Sequence, residues 1–276
     1  MDYSILMSVY IKDNPSYLKI AIESMLNQTV KSNDFIIVCD GPLTSDLNRI
    51  LDQYSTNQAI KIIRKEKNTG LGNSLNIGLS HCKYNFVARM DSDDFSLPER
   101  CEKQLAILKK EDFDIVGSAV DEYDINMKTL LSRRIPPQNH VDIVNFSKSR
   151  SPFNHPSVMF RKDAILEVGN YQSFRLHEDY YLWIRLLKNG FKGYNIQESL
   201  LKMRTDIDMI LRRGGYNYYK SGKQLQKYML KVKYINVFRY LFNLTTRFIF
   251  QVLFTPKTRK YFYLKTLRKK WTCFFN

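Results

Sequence analysis

The chain has 276 residues, of which 44% are hydrophobic and 25% charged, a balance that suits a folded body with a sizeable core and excludes a disordered or fibrous chain. Its formal net charge of +16 is unevenly placed: no Asp or Glu follows Asp208, and residues 209–276 hold sixteen Lys or Arg. The first 208 residues therefore carry as many acidic as basic side chains, so the basicity belongs to the tail and the body offers no nucleic-acid surface. Cys39, Cys82, Cys101 and Cys273 are scattered without metal-type or framework spacing and read as reduced thiols of a cytosolic protein. No basic stretch precedes the first apolar run, so no secretory leader is expected.

The first half alternates strand and helix. Ile5 to Tyr10 predicts a strand, and Asn14-Pro15 supplies a cap and a first-turn proline for a helix with Leu18, Ile22, Met25 and Leu26 on one face. Phe35 to Val38 reads as a strand covered on both faces. A helix over 43–54, a strand over 60–64, a helix over 71–81 and a strand over 84–90 follow. Four such alternations with short connections imply an α/β fold with a mostly parallel sheet and helices on both faces. The second half is less regular: a helix over 97–110, a strand over 114–123, a hairpin or loop over 124–137, a helix over 141–149 and a strand over 157–161 are expected. A further helix starts near Glu178-Asp179, with Leu182, Trp183, Leu186 and Leu187 as its apolar stripe.

Ligands on open parallel sheets bind beyond the carboxyl ends of the strands. That rim receives the loop after the first strand, Asp40 after the second, and Met90-Asp91-Ser92-Asp93-Asp94 after the fourth. Three carboxylates in four positions repel unless a cation sits among them, and a hard divalent ion with oxygen ligands suits them. The alternative is an acidic turn capping the next helix. Arg100 reads either as a phosphate contact or as an arginine on a solvated helix face.

Several stretches taken in order carry a resemblance. Ser8-Val9-Tyr10, Asn27-Gln28-Thr29, Val38-Cys39-Asp40-Gly41-Pro42, Asn68-Thr69-Gly70-Leu71-Gly72-Asn73, Ala88-Arg89-Met90-Asp91-Ser92-Asp93-Asp94, Asn154-His155-Pro156-Ser157 and Glu178-Asp179 before Leu182-Trp183 resemble a family 2 glycosyltransferase of the GT-A fold. The likeness covers residues 3 to about 215 and is to bacterial enzymes of capsule and O-antigen synthesis.

The resemblance implies inverting transfer of a hexose, glucose or galactose favoured, from a UDP-sugar to a hydroxyl of an undecaprenyl-diphosphate-linked acceptor. Asp40 would accept from the pyrimidine ring N–H, with a turn role before Gly41-Pro42 as the alternative. Val9, Tyr10, Asn68 and Gly70 would line the nucleoside. Asp93 would hold Mn2+ or Mg2+, and Asp91 would reach the ribose or metal-bound water. Asp179 would be the general base with Glu178 beside it, and His155 an acceptor or metal contact, unless these are a helix-start acid pair and a structural histidine. A pyrophosphorylase would want a Gly-rich basic loop after the first strand, and Ser8 to Asp13 contains no glycine. A non-enzymatic lipid- or RNA-binding protein on the same scaffold is the reading from another class.

The division expected is a catalytic domain over 1–214 and a basic amphipathic helical tail over 215–276. Within the tail Asn236, Arg239, Asn243, Arg247 and Gln251 form one polar stripe, unlike a spanning helix. Residues 257–271 mix Lys and Arg with aromatics, as a helix on an anionic lipid surface does. Packing on the domain and a nucleic-acid patch are the rivals. The lipid reading places the protein peripherally on the cytoplasmic face of the bacterial inner membrane.

Overall fold

A computed structural model describes residues 2–110, 112–205, 214–255 and 258. The first half follows the expected order: β1 (Ser4–Val9), α1 (Pro15–Leu26), β2 (Phe35–Cys39), α2 (Ser45–Asp52), β3 (Ile60–Arg64), α3 (Leu71–His81) and β4 (Phe86–Met90). The Asn14 side chain caps α1 by accepting from Ser16 N and Tyr17 N, and Thr44 caps α2 by accepting from Leu47 N. Strands β3, β2, β1 and β4 lie side by side and parallel.

Alternation along these strands divides the apolar side chains between two cores. Ile5, Met7, Val9, Ile37 and Met90 meet α1, α2 and α4 (Arg100–Lys110), while Leu6, Ile36, Val38 and Val87 meet α3 and later helices on the other face.

Past β4 the sheet becomes mixed. β8 (Met159–Arg161) runs antiparallel between β4 and β6 (Ile115–Tyr123), and β9 (Gly193–Arg204) lies parallel to β6 on its other side. β7 (Leu130–Arg134) folds back on β6 as the expected hairpin, closed by Asp124 Oδ1 accepting from Lys128 N and Thr129 N. The short β5 (Phe95–Ser96) pairs antiparallel with β9, so the helix expected from residue 97 starts at Arg100. Helices α5 (His140–Ser147), α6 (Lys162–Glu167) and α7 (Glu178–Lys188) complete the body.

β9 was not foreseen. Its apolar residues are interrupted by Gln197-Glu198-Ser199, and its register with β6 shifts on either side of Ala119, so no unbroken alternation reaches the sequence. Arg100 is neither a phosphate contact nor solvated. It is fully buried and donates to the carbonyls of Arg89 and Val158, tying β4 to the turn before β8.

Two further helices, α8 (Tyr216–Lys231) and α9 (Val237–Phe248), pack on the body: Leu225, Met229 and Ile235 join Tyr180 and Ile184 of α7 in a third apolar cluster. Among the described residues no helix is long and apolar enough to cross a membrane. The basic helix expected over 257–271 lies outside the described residues, apart from Thr258.

Where α3 crosses β1 and β2 the helix carries Gly78, and a Cβ there would lie 2.3 Å from Leu6 Cδ1 and 2.9 Å from Val38 Cγ2. Overpacking a filled core costs about 1–3 kcal/mol. Gly78→Val, a poor helix former with three added carbons, is expected to lower stability by at least that much, seen as a lower urea midpoint at unchanged slope. An unchanged midpoint would show that the helix can retreat from the sheet at no cost.

Candidate active site

The rim begins with Asp40, which follows β2 and is buried. Asp40 Oδ1 accepts from Lys65 Nζ (2.6 Å) and Thr69 N (2.9 Å), and Oδ2 accepts from Gly70 N (3.0 Å). Burial pushes this carboxyl up, but the bonds from Lys65 and Thr69, with the Lys65 charge, outweigh it and hold the pKa below the usual value. A carboxylate offers about four acceptor positions, so Oδ2 keeps one for a further donor. Gly41 makes the arrangement possible: its φ is +88°, and a Cβ there would sit 2.6 Å from Asn68 N. The 68–70 loop can thus close over Asp40, with Asn68 exposed and Gly70 half-buried.

Beyond β4 the acidic loop turns back on itself. Ligand oxygens of Asp91, Asp93 and Asp94 come within 4.8 Å of one another. A fourth carboxylate, Asp13 after β1, joins them and accepts from Ser92 Oγ (2.7 Å) and Tyr10 N (3.0 Å). Asp93 keeps an exposed edge, yet desolvation by the protein packed around it, then the charges of Asp91 and Asp13, push it up to about 7; burial brings Asp13 to about 6. Two guanidiniums answer this charge. Arg89, only 2% exposed, pairs through Nη2 with Asp91 Oδ1, while its Nε and Nη1 find no hydrogen-bond partner among the described residues. Arg204, the last residue of β9, donates from its main chain to Asp94 Oδ1 (3.0 Å) and from Nη1 to the Asp93 carbonyl. Its guanidinium stacks 3.9 Å from the Tyr17 ring centroid.

The third part is the start of α7. Glu178 and Asp179 occupy its first turn, both half-buried. A Cβ on Gly72 would meet Tyr171 Cβ at 3.4 Å and Glu178 Cγ at 3.9 Å, so the first turn of α3, which follows the loop that closes on Asp40, lies against the α7 start. Burial, helped by the Asp179 charge, raises the pKa of Glu178. His155 Nε2 lies 2.9 Å from the Tyr171 hydroxyl, and its ring packs against Tyr171 and Trp183. Burial, with the Arg89 charge, lowers its pKa well below the usual value and keeps the ring neutral. His155 stands outside the carboxylate group.

Residues 4–169 match the model of the family described as glycosyl transferase family 2. The UDP-Gal:alpha-D-GlcNAc-diphosphoundecaprenol beta-1,3-galactosyltransferase of Escherichia coli is 39% identical over 269 residues, 97% of each chain. The chain belongs to glycosyl transferase family 2. The amylovoran biosynthesis glycosyltransferase AmsE of Erwinia amylovora is also 39% identical, over 84% of this chain and 86% of its own. Among solved structures, S. aureus TarS superposes with a TM-score of 0.69 over 96% of this chain and 46% of TarS. A fragment of TarS, residues 1–349 in complex with UDP-GlcNAc, gives 0.66 over 96% and 76%. Sequence identity is 15% in both, so the likeness establishes the shared GT-A fold.

In this family 2 chain the candidate residues gather on one rim, apart from His155 and the side chain of Val9. Val9 points its side chain into the core, and its carbonyl is taken by Asp40 N, so only its main chain reaches the rim; Tyr10, the next position, is 41% exposed. Asp13, Lys65, Arg89 and Arg204 escaped the sequence reading. Asp13 alone carried a usable signal, an acid in the loop after β1.

The carboxylates fit a divalent cation. Asp94 Oδ2 is buried without a hydrogen-bond partner among the described residues, and desolvation with the charges of Asp91 and Asp13 raises the pKa of Asp93 to about 7 despite Arg89. An Asp whose folded-state pKa stands above its unfolded value binds an extra proton when folded. In the metal-free protein the contribution of Asp93 to stability therefore falls as pH rises from about 4 to about 7. A cation competes with that proton and binds better as it leaves. The rise in Tm on adding Mn2+ is expected to be larger at about pH 7.5 than at about pH 5.5. Equal rises at both would contradict a metal site built on Asp93.

Proposed function

We propose that this glycosyltransferase moves galactose from UDP-galactose to a hydroxyl of an N-acetylglucosamine-diphosphoundecaprenol acceptor, with inversion at the anomeric carbon, in synthesis of an O-antigen or capsule. The observation that carries this reading is the convergence of Asp40, the Asp91–Asp94 loop and the Glu178–Asp179 pair on one rim, in a chain 39% identical over 97% of its length to the E. coli galactosyltransferase. The donor and acceptor follow that relative's name; the complexes of TarS with UDP-GlcNAc and with UDP support a uridine nucleotide. The site works at the cytoplasmic face of the inner membrane, where such an acceptor presents its sugar.

The remaining acceptor position on Asp40 Oδ2 takes the ring N–H of uracil, and Tyr10 and the 68–70 loop flank the nucleoside. Asp93, with Asp91 and Asp94, would hold Mn2+ or Mg2+. Such an ion supplies Lewis-acid stabilisation of charge growing on the diphosphate. Arg89 fixes Asp91 and brings a permanent positive charge to the back of the cluster. At the α7 start, an oxygen of Asp179 accepts the proton of the attacking hydroxyl as its oxygen bonds to the anomeric carbon. The carbon–oxygen bond to the diphosphate breaks on the opposite side, UDP departs with that electron pair, and Asp179 passes its proton to solvent. Glu178 stands beside the base, its own pKa raised by burial and by the charge of Asp179.

Asp179→Asn is expected to keep UDP-galactose affinity and lose roughly 100- to 10,000-fold in turnover, the usual range for a positioned base. Proton NMR of the wild-type product should show a β-linkage. A variant turning over at the wild-type rate, or an α-linked product, would overturn the role.

Asp93→Ala is expected to fold normally and to lose both transfer and Mn2+-dependent donor binding, read by calorimetry with and without EDTA. Wild-type transfer in EDTA would remove the metal from the reading.

A further inference from the structure

The structure turns α9 inside out. Of the polar stripe read in the sequence, Asn243 is buried and donates to the Lys148 carbonyl (2.8 Å) and to Gln226 Oε1 (2.7 Å). Arg247 donates to the Ser149 carbonyl (2.7 Å), and the Gln251 carbonyl accepts from Gly215 N (2.8 Å). Only Asn236, the cap, and Arg239 remain in solvent. The apolar side chains face outward instead: Phe238 is 84% exposed, Phe242 60%, and Leu241 and Leu253 more than half. Single exposed apolar residues are ordinary, but a continuous face of large ones marks a docking surface.

We propose that this outward face, Phe238, Leu241, Phe242 and Leu253, docks into the headgroup boundary of an anionic membrane. Charge selects this occupant. Residues 214–255 hold seven Lys or Arg and no acid, and Lys220, Lys223, Lys227, Lys231, Lys233 and Arg239 are exposed. A second copy would bring the same seven charges against them. The chain's own residues 257–276 add seven more basic side chains and no acidic one, and repel for the same reason. Anionic lipid supplies the missing sign and takes up phenylalanine and leucine from an interfacial helix.

The docked pair also touches the machinery. Ser221 of α8 donates to the Arg175 carbonyl, and the ring of His177, the cap residue of α7, lies 5.0 Å from that of Tyr218. The lipid-facing helices thus abut the turn that delivers Glu178 and Asp179. The meaning of this contact for a lipid-linked acceptor rests on the transferase reading above; the docking itself does not.

The test uses the full chain. Wild type should co-sediment with vesicles containing about one-third phosphatidylglycerol and at least ten-fold less with pure phosphatidylcholine. The double variant Phe238→Ser/Phe242→Ser should lose at least ten-fold in partition while keeping its Tm and its UDP affinity. Emission of the Phe242→Trp variant should shift to the blue, and be quenched by brominated acyl chains, only when phosphatidylglycerol vesicles are present. Wild-type partition of the double variant would overturn the proposal. So would emission of the Phe242→Trp variant that is already blue without lipid, with light scattering telling a second copy from the chain's own tail. Failure of wild type to bind UDP would instead overturn the transferase reading and leave the docking result standing.

Discussion

Four carboxylates, Asp13, Asp91, Asp93 and Asp94, are held at one end of β4 against their mutual repulsion, and much of the framework can be understood as what keeps them there. Burial and like charge both favour neutral acids, as the raised pKa values of Asp13, Asp93 and Asp94 show. The opposing force comes from Arg89 behind the loop and Arg204 in front of it. Arg100 in turn holds the Arg89 carbonyl, so the strand end cannot drift from its ion pair. Removing one partner from such a buried set leaves an uncompensated charge, a far larger loss than that of a surface pair.

The fold's first half was legible because each signal was local. Pro15 marked a helix start, continuous apolar runs marked covered strands, and short connections required a parallel sheet. One rule of architecture, that ligands sit at the carboxyl ends of strands, put Asp40 and the Asp91–Asp94 loop on a shared rim before any geometry was known. Asn68, Gly70, Glu178 and Asp179 came only from the family resemblance. Most of the parts that escaped were non-local. Arg100 reads from sequence as a phosphate contact or a solvated arginine, and nothing singles out a role for Arg89 or Arg204, since charged side chains are seldom fully buried. Arg100 reaches the Val158 carbonyl and Arg204 the Asp93–Asp94 turn from distant parts of the chain, so no window of sequence contains both members. The Arg89–Asp91 pair is local, and what its window hides is the burial of Arg89. β9 hid because Gln197-Glu198-Ser199 breaks its pattern where the strand bulges.

The same limit applies to α9. A periodic stripe states that a helix has two unlike faces, not which of them meets the protein. The usual assignment puts the apolar face inward. Here the neighbouring surface offers the carbonyls of Lys148 and Ser149 and the side-chain amide of Gln226, and a polar face satisfies them. Unpaired carbonyls under an apolar helix would cost more than the stripe gains.

The clamp of Arg204 on the acidic loop has a consequence for how the protein comes into being. Arg204 reaches back across 110 residues to Asp94 and 111 to Asp93. Contacts of such sequence separation form late, after the loop-closure entropy between them has been overcome. A nascent chain can pair β1, β2 and β4 while it is still being synthesised, yet its acidic loop stays unclamped until β9 has left the ribosome and zipped onto β6. Half-made chains therefore carry Asp13, Asp91, Asp93 and Asp94 together on the rim before the residue that clamps their loop has been made.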